Sequence, residues 1–349
     1  MGFKRFDPED FVISADTVTS TVWSNNASTL NTFFTSSTQE QGSSGEYYLN
    51  VYQTASNDDS AAVQFAVAYA NPTGGGTLLY DNSVLEKSPS RSIYGQYRTL
   101  VLEDENASFT FGGSYTGSNQ LYVISVERAR YKEKLLPGSF NLVLSSSNPN
   151  LTSLTLTDNS KDVNLPTYYG TQRAYEVVSG SDGSAYSGNG YTVGSGSYGL
   201  FLPDISTIIL NADALNDNST SGNMGINLAT NSGSNTNGFN ERKLYDQITG
   251  TPISPTSSIF QANSQETITS NYVFVRARNS EFNYSENPSF ISGSTGEVIY
   301  NYFIDNPQTF ATTVGMYNDS NELLAVAKLS KPLVKDFTKE ALIRVKLDF

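Results

Sequence analysis

Short segments in which apolar and polar side chains alternate with a period of two recur along the chain, and they limit what it can fold into more than any other feature. Tyr47, Leu49 and Val51 alternate with Tyr48, Asn50 and Tyr52, and Val63, Phe65 and Val67 fall on one face of the segment 62–68. Successive Cβ atoms of a strand point to opposite faces, so such spacing gives each segment one face to bury and one to leave outside. Strands separated by turn-rich stretches are also expected at 121–126, 140–144, 151–156, 174–178 and 205–210. A more regular series is expected at 272–278, 298–304, 309–317, 323–329 and 342–349. The tetrad Asn318-Asp319-Ser320-Asn321 reads as a hairpin turn between the third and fourth members of that series. Many short strands punctuated by Gly, Asn and Pro argue for a mainly β chain of antiparallel sandwich or barrel-like domains, not for alternating βαβ units.

Helices are few. Ser88 can cap a helix over 88–102, Pro89 suits its first turn, and Ile93, Tyr97, Leu100 and Val101 recur at helical steps. A shorter helix is expected at 240–248, where Leu244 and Ile248 share a face. Residues 1–45 mix Phe3, Phe6, Phe11, Trp23, Phe33 and Phe34 into a Ser/Thr/Asn background without sustained periodicity, which predicts an extended N-terminal docking arm. The expected organisation is therefore the arm (1–45), a β-rich central region (46–210), an Asn/Ser/Gly-rich linker with the short helix (211–265) and a C-terminal antiparallel β-domain (266–349).

The chain of 349 residues has neither histidine nor cysteine, which excludes disulfides, thiol nucleophiles, zinc fingers, Ser-His-Asp triads and imidazole pH switches. Carboxylate chemistry, hard cations on oxygen ligands and Ser/Lys arrangements stay open. Lys and Arg total 21 against 34 Asp and Glu, for a net charge of -13, so general attraction to nucleic acid or anionic lipid is disfavoured. Only 16% of the residues are charged, a profile suited to strands, turns and neutral polar contact surfaces. The N-terminus has basic Lys4 and Arg5 followed by acids and no apolar run, so no secretory signal is expected. Phe6 stands where a myristoylation motif needs Ser or Thr, and no apolar run is long enough for a membrane helix.

Several patterns invite chemistry. Gly194-Ser195-Gly196-Ser197-Tyr198-Gly199 matches the dinucleotide-binding glycine pattern, but Leu200-Phe201-Leu202-Pro203 follows where a helix should open, so no cofactor is expected. Acid clusters at Asp7/Glu9/Asp10, Asp58/Asp59 and Glu103/Asp104/Glu105 lack both the EF-hand spacing and the opposed pair of a glycosidase. They read as solvated surface, with no metal or catalytic site expected. Arg128, Arg130, Lys132 and Lys134 would line one face of a strand, a basic stripe suited to an acidic protein surface or to guarding a sheet edge. The closing alternation through Phe349 resembles the end of an outer-membrane barrel, against which stand the missing signal and the Pro-interrupted strands.

The segments Gly2-Phe3-Lys4-Arg5-Phe6-Asp7-Pro8-Glu9-Asp10-Phe11, residues 128–139, and residues 322–349 with Leu323-Leu324-Ala325-Val326-Ala327-Lys328-Leu329-Ser330-Lys331-Pro332 carry a resemblance. The chain resembles virion structural proteins of contractile-tailed phages that infect marine cyanobacteria. The resemblance implies a non-enzymatic baseplate or tail subunit, assembled into virions in the host cytoplasm. Its partners would be other virion proteins and copies of itself, without nucleic acid or membrane insertion, and the resemblance supplies no catalytic residue. Head decoration, neck and fibre proteins, and a carbohydrate-binding receptor protein that stacks sugars on tyrosines, are the alternatives. The residues expected at protein interfaces are Phe3, Phe6, Phe11 and Trp23 of the arm and Arg128, Arg130, Lys132 and Lys134 of the stripe.

Overall fold

The computed structural model describes residues 4–36, 48–76, 86–111, 120–145, 153–186, 196–216, 224–229, 240–250, 259–285 and 287–348. The chain is mainly β, with antiparallel sheets. Its strands begin with β1 (Phe11–Thr21), β2 (Thr29–Leu30), β3 (Phe34–Thr35), β4 (Leu49–Tyr52), β5 (Val63–Ala70), β6 (Leu121–Val126) and β7 (Lys134–Leu135). They continue with β8 (Asn141–Leu144), β9 (Leu154–Asp158), β10 (Thr167–Tyr169), β11 (Gln172–Ser181), β12 (Ser184–Ala185), β13 (Gly199–Leu202) and β14 (Thr207–Asn211). The last are β15 (Phe260–Gln261), β16 (Asn263–Ala277), β17 (Thr309–Tyr317), β18 (Leu323–Lys335) and β19 (Ala341–Asp348). The helices are α1 (Pro89–Leu102), α2 (Ala212–Asn216), α3 (Asn240–Thr249) and α4 (Asn301–Asp305). Two compact units divide the chain: a larger one, Val18–Glu266, and a terminal one made from both ends, Met1–Thr17 with Thr267–Phe349.

The larger unit is built on one sheet in the order β2-β15-β8-β9-β11-β13-β14-β6-β5-β4-β3, with β10 and β12 also pairing β11. Its two ends, β2 and β3, are joined by residues 31–33 alone. The four Cα steps from Leu30 to Phe34 reach at most about 14 Å, so the sheet must curl until its ends nearly meet.

Period-two alternation then sorts side chains between two cores. Val67, Tyr69, Tyr122, Ile124, Phe201, Ile208 and Leu210 belong to one cluster, together with Leu244, Tyr245 and Ile248 of α3. Their strand neighbours Ala68, Ala70, Leu121, Val123, Leu200, Leu202 and Ile209 belong to the other, with Ile93, Tyr94 and Val101 of α1. Helix α3 packs against both β5 and β8, strands far apart in the sheet order, and so occupies the concave side, while α1 covers the convex side. Strands β6, β13 and β14 are consequently buried on both faces and read as nearly continuous apolar runs. Helix α1 starts as its sequence predicts: Ser88 is extended (ψ 156°) and its hydroxyl accepts the Arg91 N–H, with Pro89 in the first turn.

Three expectations give way. Residues 11–21, 29–30 and 34–35 of the expected arm are strands, because their N–H and C=O groups find sheet partners. Part of the expected linker is core among the described residues: Leu215, Met224, Ile226 and Leu228 are buried with α3. Asparagines supply the missing backbone partners there. The Asn240 side chain accepts from Ala229 N (2.8 Å) and donates to Ala229 O (3.1 Å), and Asn216 Oδ1 accepts from Leu228 N (2.8 Å). The strand expected at 298–304 is instead α4, with Val298 in a single bridge to Ile291. Tyr300 and Phe303, three residues apart, both meet the Phe290 ring (centroids 6.3 and 4.6 Å), which a strand would forbid by pointing them to opposite faces.

Candidate assembly surface

In the terminal unit β16 and β19 pair antiparallel from Ser270↔Asp348 to Ala277↔Ala341, which sets Val273 opposite Val345. Those two side chains and Met316 of the β17–β18 hairpin form its core cluster, with Phe6, Ala325, Ala327, Ile343 and Leu347 packed around it. The hairpin turns where the sequence predicts: Asn321 adopts φ 61°, its N–H donates to Asn318 O (3.0 Å), and Asn318 N donates to Glu322 O (3.0 Å). Polar anchors supplement this thin core. Lys335 is 3% exposed, and its ammonium donates to Asn279 O (2.9 Å), Asn283 Oδ1 (2.7 Å) and Asp336 O (2.9 Å), fastening the loop after β16 to the end of β18. Lys4 donates to Arg276 O (2.6 Å) and to Glu281 (3.0 Å). The Arg278 N–H and then Lys4 hold the Glu281 carboxyl below its ordinary range.

Around this core, among the described residues, exposed large apolar side chains outnumber buried ones. The hairpin presents Phe310, Leu324 (69% exposed) and Val326, and the segment before it presents Ile299, Tyr302 (67%) and Ile304. Single exposed hydrophobics are ordinary, whereas so many on a unit with few buried partners make this the chain's candidate contact surface. Strand β1 adds Phe11, Val12 and Ile13, and all but one of its eleven residues are exposed.

The interface residues expected from sequence divide three ways. Phe3 lies outside the described residues. Phe6 packs on the terminal core and meets Phe11 edge to face (5.3 Å), while Phe11 stays half exposed. Trp23 is a correction: it is 2% exposed, packed against Phe65 (6.2 Å) and Phe260 (4.9 Å), with its indole N–H donating to Ser28 O (3.0 Å). Enclosed in this way, it is a core residue, not a contact for a neighbour.

The basic stripe is a second correction. Arg128–Arg130 form a 3-10 turn, so the four cations do not share a strand face. Arg128 folds back over the Tyr131 ring (4.8 Å) and donates to Tyr131 O (2.9 Å), and Lys134 pairs with Glu133 (3.1 Å). Lys132 is exposed, and its backbone N–H donates to Ser264 Oγ (2.8 Å), next to the short β7–β16 pairing.

The remaining sequence patterns are structural. Asp7 and Asp10 cap each other across a 3-10 turn, Asp58 accepts from Ser60, and Glu103–Glu105 sit exposed at the end of α1. Among the described residues no three acids converge as a metal site. The glycine pattern ends in strand β13, not in a helix. Sequence reasoning missed three buried groups, which simple period-two patterns do not distinguish from ordinary core. Asp158 is fully buried and pushed above the usual carboxyl range by desolvation, although Gly138 N (2.9 Å) and Ser160 N (3.0 Å) donate to it. Burial likewise holds the Tyr69 and Tyr122 phenols well above their ordinary values. Comparison with family models, with curated proteins and with solved structures finds no match for this chain.

Proposed function

We propose that the chain is a non-enzymatic virion structural protein of a contractile-tailed phage, an assembly subunit of the baseplate or tail. The observation that carries this reading is the terminal unit, whose exposed apolar side chains exceed what its small core buries. A subunit held among neighbours buries such surface on assembly, and hydrophobic contact contributes roughly 25 cal/mol per Å² removed from water. The resemblance in residues 2–11 and 322–349 supplies the phage setting, and both segments contribute residues to the terminal unit. Neutral polar side chains and tyrosines suit a contact surface that needs no reaction chemistry.

Mass spectrometry of purified virions tests the assignment, and a particle map places the subunit. Virions that lack the protein overturn it, as does turnover of a substrate by the isolated chain. Replacing Leu324 and Val326 by serine should leave a folded protein that no longer enters particles.

A second reading draws on the aromatic group formed by Tyr284, Phe290, Tyr300 and Phe303, beside exposed Tyr302. Tyrosine faces of this kind stack on sugar rings, so glycan binding abolished by Tyr302→Ala would favour a receptor-binding role within the same virion class.

A further inference from the structure

We infer that the outer edge of β1 pairs antiparallel with β1 of a second copy of this chain, about a two-fold axis at Ala15; the inference rests on the assembly reading and names one of its partners. In its sheet β1 pairs β16, and among the described residues no strand pairs its other edge. An open edge presents a row of backbone donors and acceptors, which proteins ordinarily guard with lysine, proline or a bulge. The opposite edge strand, β19, is guarded in this way by Arg344 and Lys346. Strand β1 reads Phe-Val-Ile-Ser-Ala-Asp-Thr-Val-Thr-Ser-Thr, with no lysine, arginine, proline or glycine and Asp16 as its one charge. Its β-branched content favours an extended pairing, and Phe11, Val12, Ile13 and Val18 are all exposed and would gain cross-strand neighbours.

The second copy is the occupant because the strand is complementary to itself. In a two-fold antiparallel pair centred on Ala15, Val12 faces Val18, Ile13 faces Thr17, and Phe11 faces Thr19. Asp16 then faces Ser14, whose hydroxyl already turns toward Asp16 of its own strand (3.4 Å). Centring on Asp16 sets carboxylate against carboxylate, and centring on Ser14 or Thr17 sets Asp16 against a valine. Like charges directly opposite are unfavourable; an axis at Val18 also avoids the conflict but pairs only residues 15–21 and leaves exposed Phe11, Val12 and Ile13 uncovered, so the axis at Ala15 is the register that pairs them with no such conflict. The interface is isologous and closes as a dimer.

The cysteine-free chain makes the register directly measurable. Facing residues in an antiparallel pair have Cα atoms about 4.5–5.5 Å apart, within the range a disulfide spans. Full-length protein carrying Ala15→Cys should form a disulfide-linked dimer on mild oxidation, much faster than protein carrying Leu165→Cys on the exposed surface of the larger unit. Light scattering on the unmodified chain should report the mass of two copies. Val12→Lys with Val18→Lys should return a monomer, and Val12→Lys with Val18→Glu, which sets opposite charges across the axis at both pairs, should restore the dimer. Each variant is compared at equal thermal stability. A monomer at high micromolar concentration, equal cross-linking at residues 15 and 165, or Ala15→Cys linking only to a different virion protein overturns the second-copy pairing. A monomeric protein found in virions sinks this pairing alone, whereas a dimer absent from virions sinks the virion assignment and leaves the pairing intact.

Discussion

Gly199 runs so close to β14 that a Cβ there would meet the carbonyl oxygen of Ile209 and stand 2.9 Å from the Leu210 Cα. The residue pairs with Leu210 in the β13–β14 ladder and is buried. What stands in sequence as the last glycine of a dinucleotide-type pattern is therefore a packing requirement between two central strands. Because the obstacle is backbone and cannot swing aside, Gly199→Ala should destabilise the larger unit by about 1–3 kcal/mol or more, from overpacking. Denaturant unfolding of the two proteins, followed through the single tryptophan, measures the difference. A change below about 0.5 kcal/mol, the range of an ordinary surface substitution, would contradict the close approach.

Trp23 separates a core role from a docking role. Its ring lies among Phe65 and Phe260, two aromatics that also meet each other (5.0 Å), and Val22, Leu30 and Leu49 belong to the same cluster. Trp23→Ala should lower stability by about 3–5 kcal/mol, the usual loss for a large buried aromatic. The opposite substitution class, Phe11→Ala on the exposed strand β1, should change stability by less than about 1 kcal/mol while weakening self-association. Equilibrium unfolding of both variants, far-UV circular dichroism serving for the tryptophan-free one, decides between these roles. Equal losses would place Phe11 in a core as well.

How far the sequence discloses this depends on what decides each element. Where local chemistry decides, the reading is close: Ser88 and Pro89 place the start of α1, the expected bounds of β6 and β17 match to the residue, and Asn318–Asn321 form the predicted turn. Where long-range partners decide, it is not. Met224, Ile226 and Leu228 look too sparse to bury, yet Asn216 and Asn240 satisfy the backbone of Leu228 and Ala229, and Leu215 O accepts from Ile226 N. Val298 to Ile304 carries apolar residues at spacings that fit either a strand or a helix, and only the ring of Phe290 selects the helix. The candidate surface is legible in part for a similar reason. Alternation shows that Phe310 and Val326 lie on strand faces, but whether a face is covered is settled by the rest of the fold.

Asp158 makes a pH dependence of unusual sign for a carboxylate. Desolvation raises its folded value above the ordinary 3.8, so between those two values the folded chain holds a proton that the unfolded chain releases. Stability therefore falls as pH rises through this window, and the unfavourable contribution is absent below the unfolded value. Asp158→Asn should remove that segment of the dependence and leave the rest of the curve. Exposed carboxylates held low by hydrogen bonds, such as Asp336 and Asp348, act in the opposite direction, so the quantity to compare is the difference between parent and variant. Denaturation midpoints at steps from mildly acidic to neutral pH supply it. A difference that does not vary with pH would mean that Asp158 titrates as it does in the unfolded chain.

Tyr122 and Tyr69, rings 5.5 Å apart inside the curled sheet, should behave alike at alkaline pH and part company at neutral pH. Burial raises both phenols, so above the ordinary value of 10.0 the unfolded chain loses protons that the folded chain keeps, and stability falls as pH rises. Each phenol contributes a slope approaching about 1.4 kcal/mol per pH unit in that range. Their neutral-pH behaviour differs because their hydroxyls differ. The Tyr69 hydroxyl donates to Gln120 Oε1 (2.5 Å), and Gln120 in turn donates to Asp213 (3.0 Å), whereas the buried Tyr122 hydroxyl has no hydrogen-bond partner among the described residues. Tyr69→Phe should therefore cost about 1 kcal/mol at pH 7, and Tyr122→Phe should be neutral or stabilising by a similar amount, since it removes a buried polar group without breaking a bond. Both variants should unfold at higher pH than their neutral stability alone implies. Loss of stability in Tyr122→Phe at pH 7 would show that its hydroxyl is bonded after all.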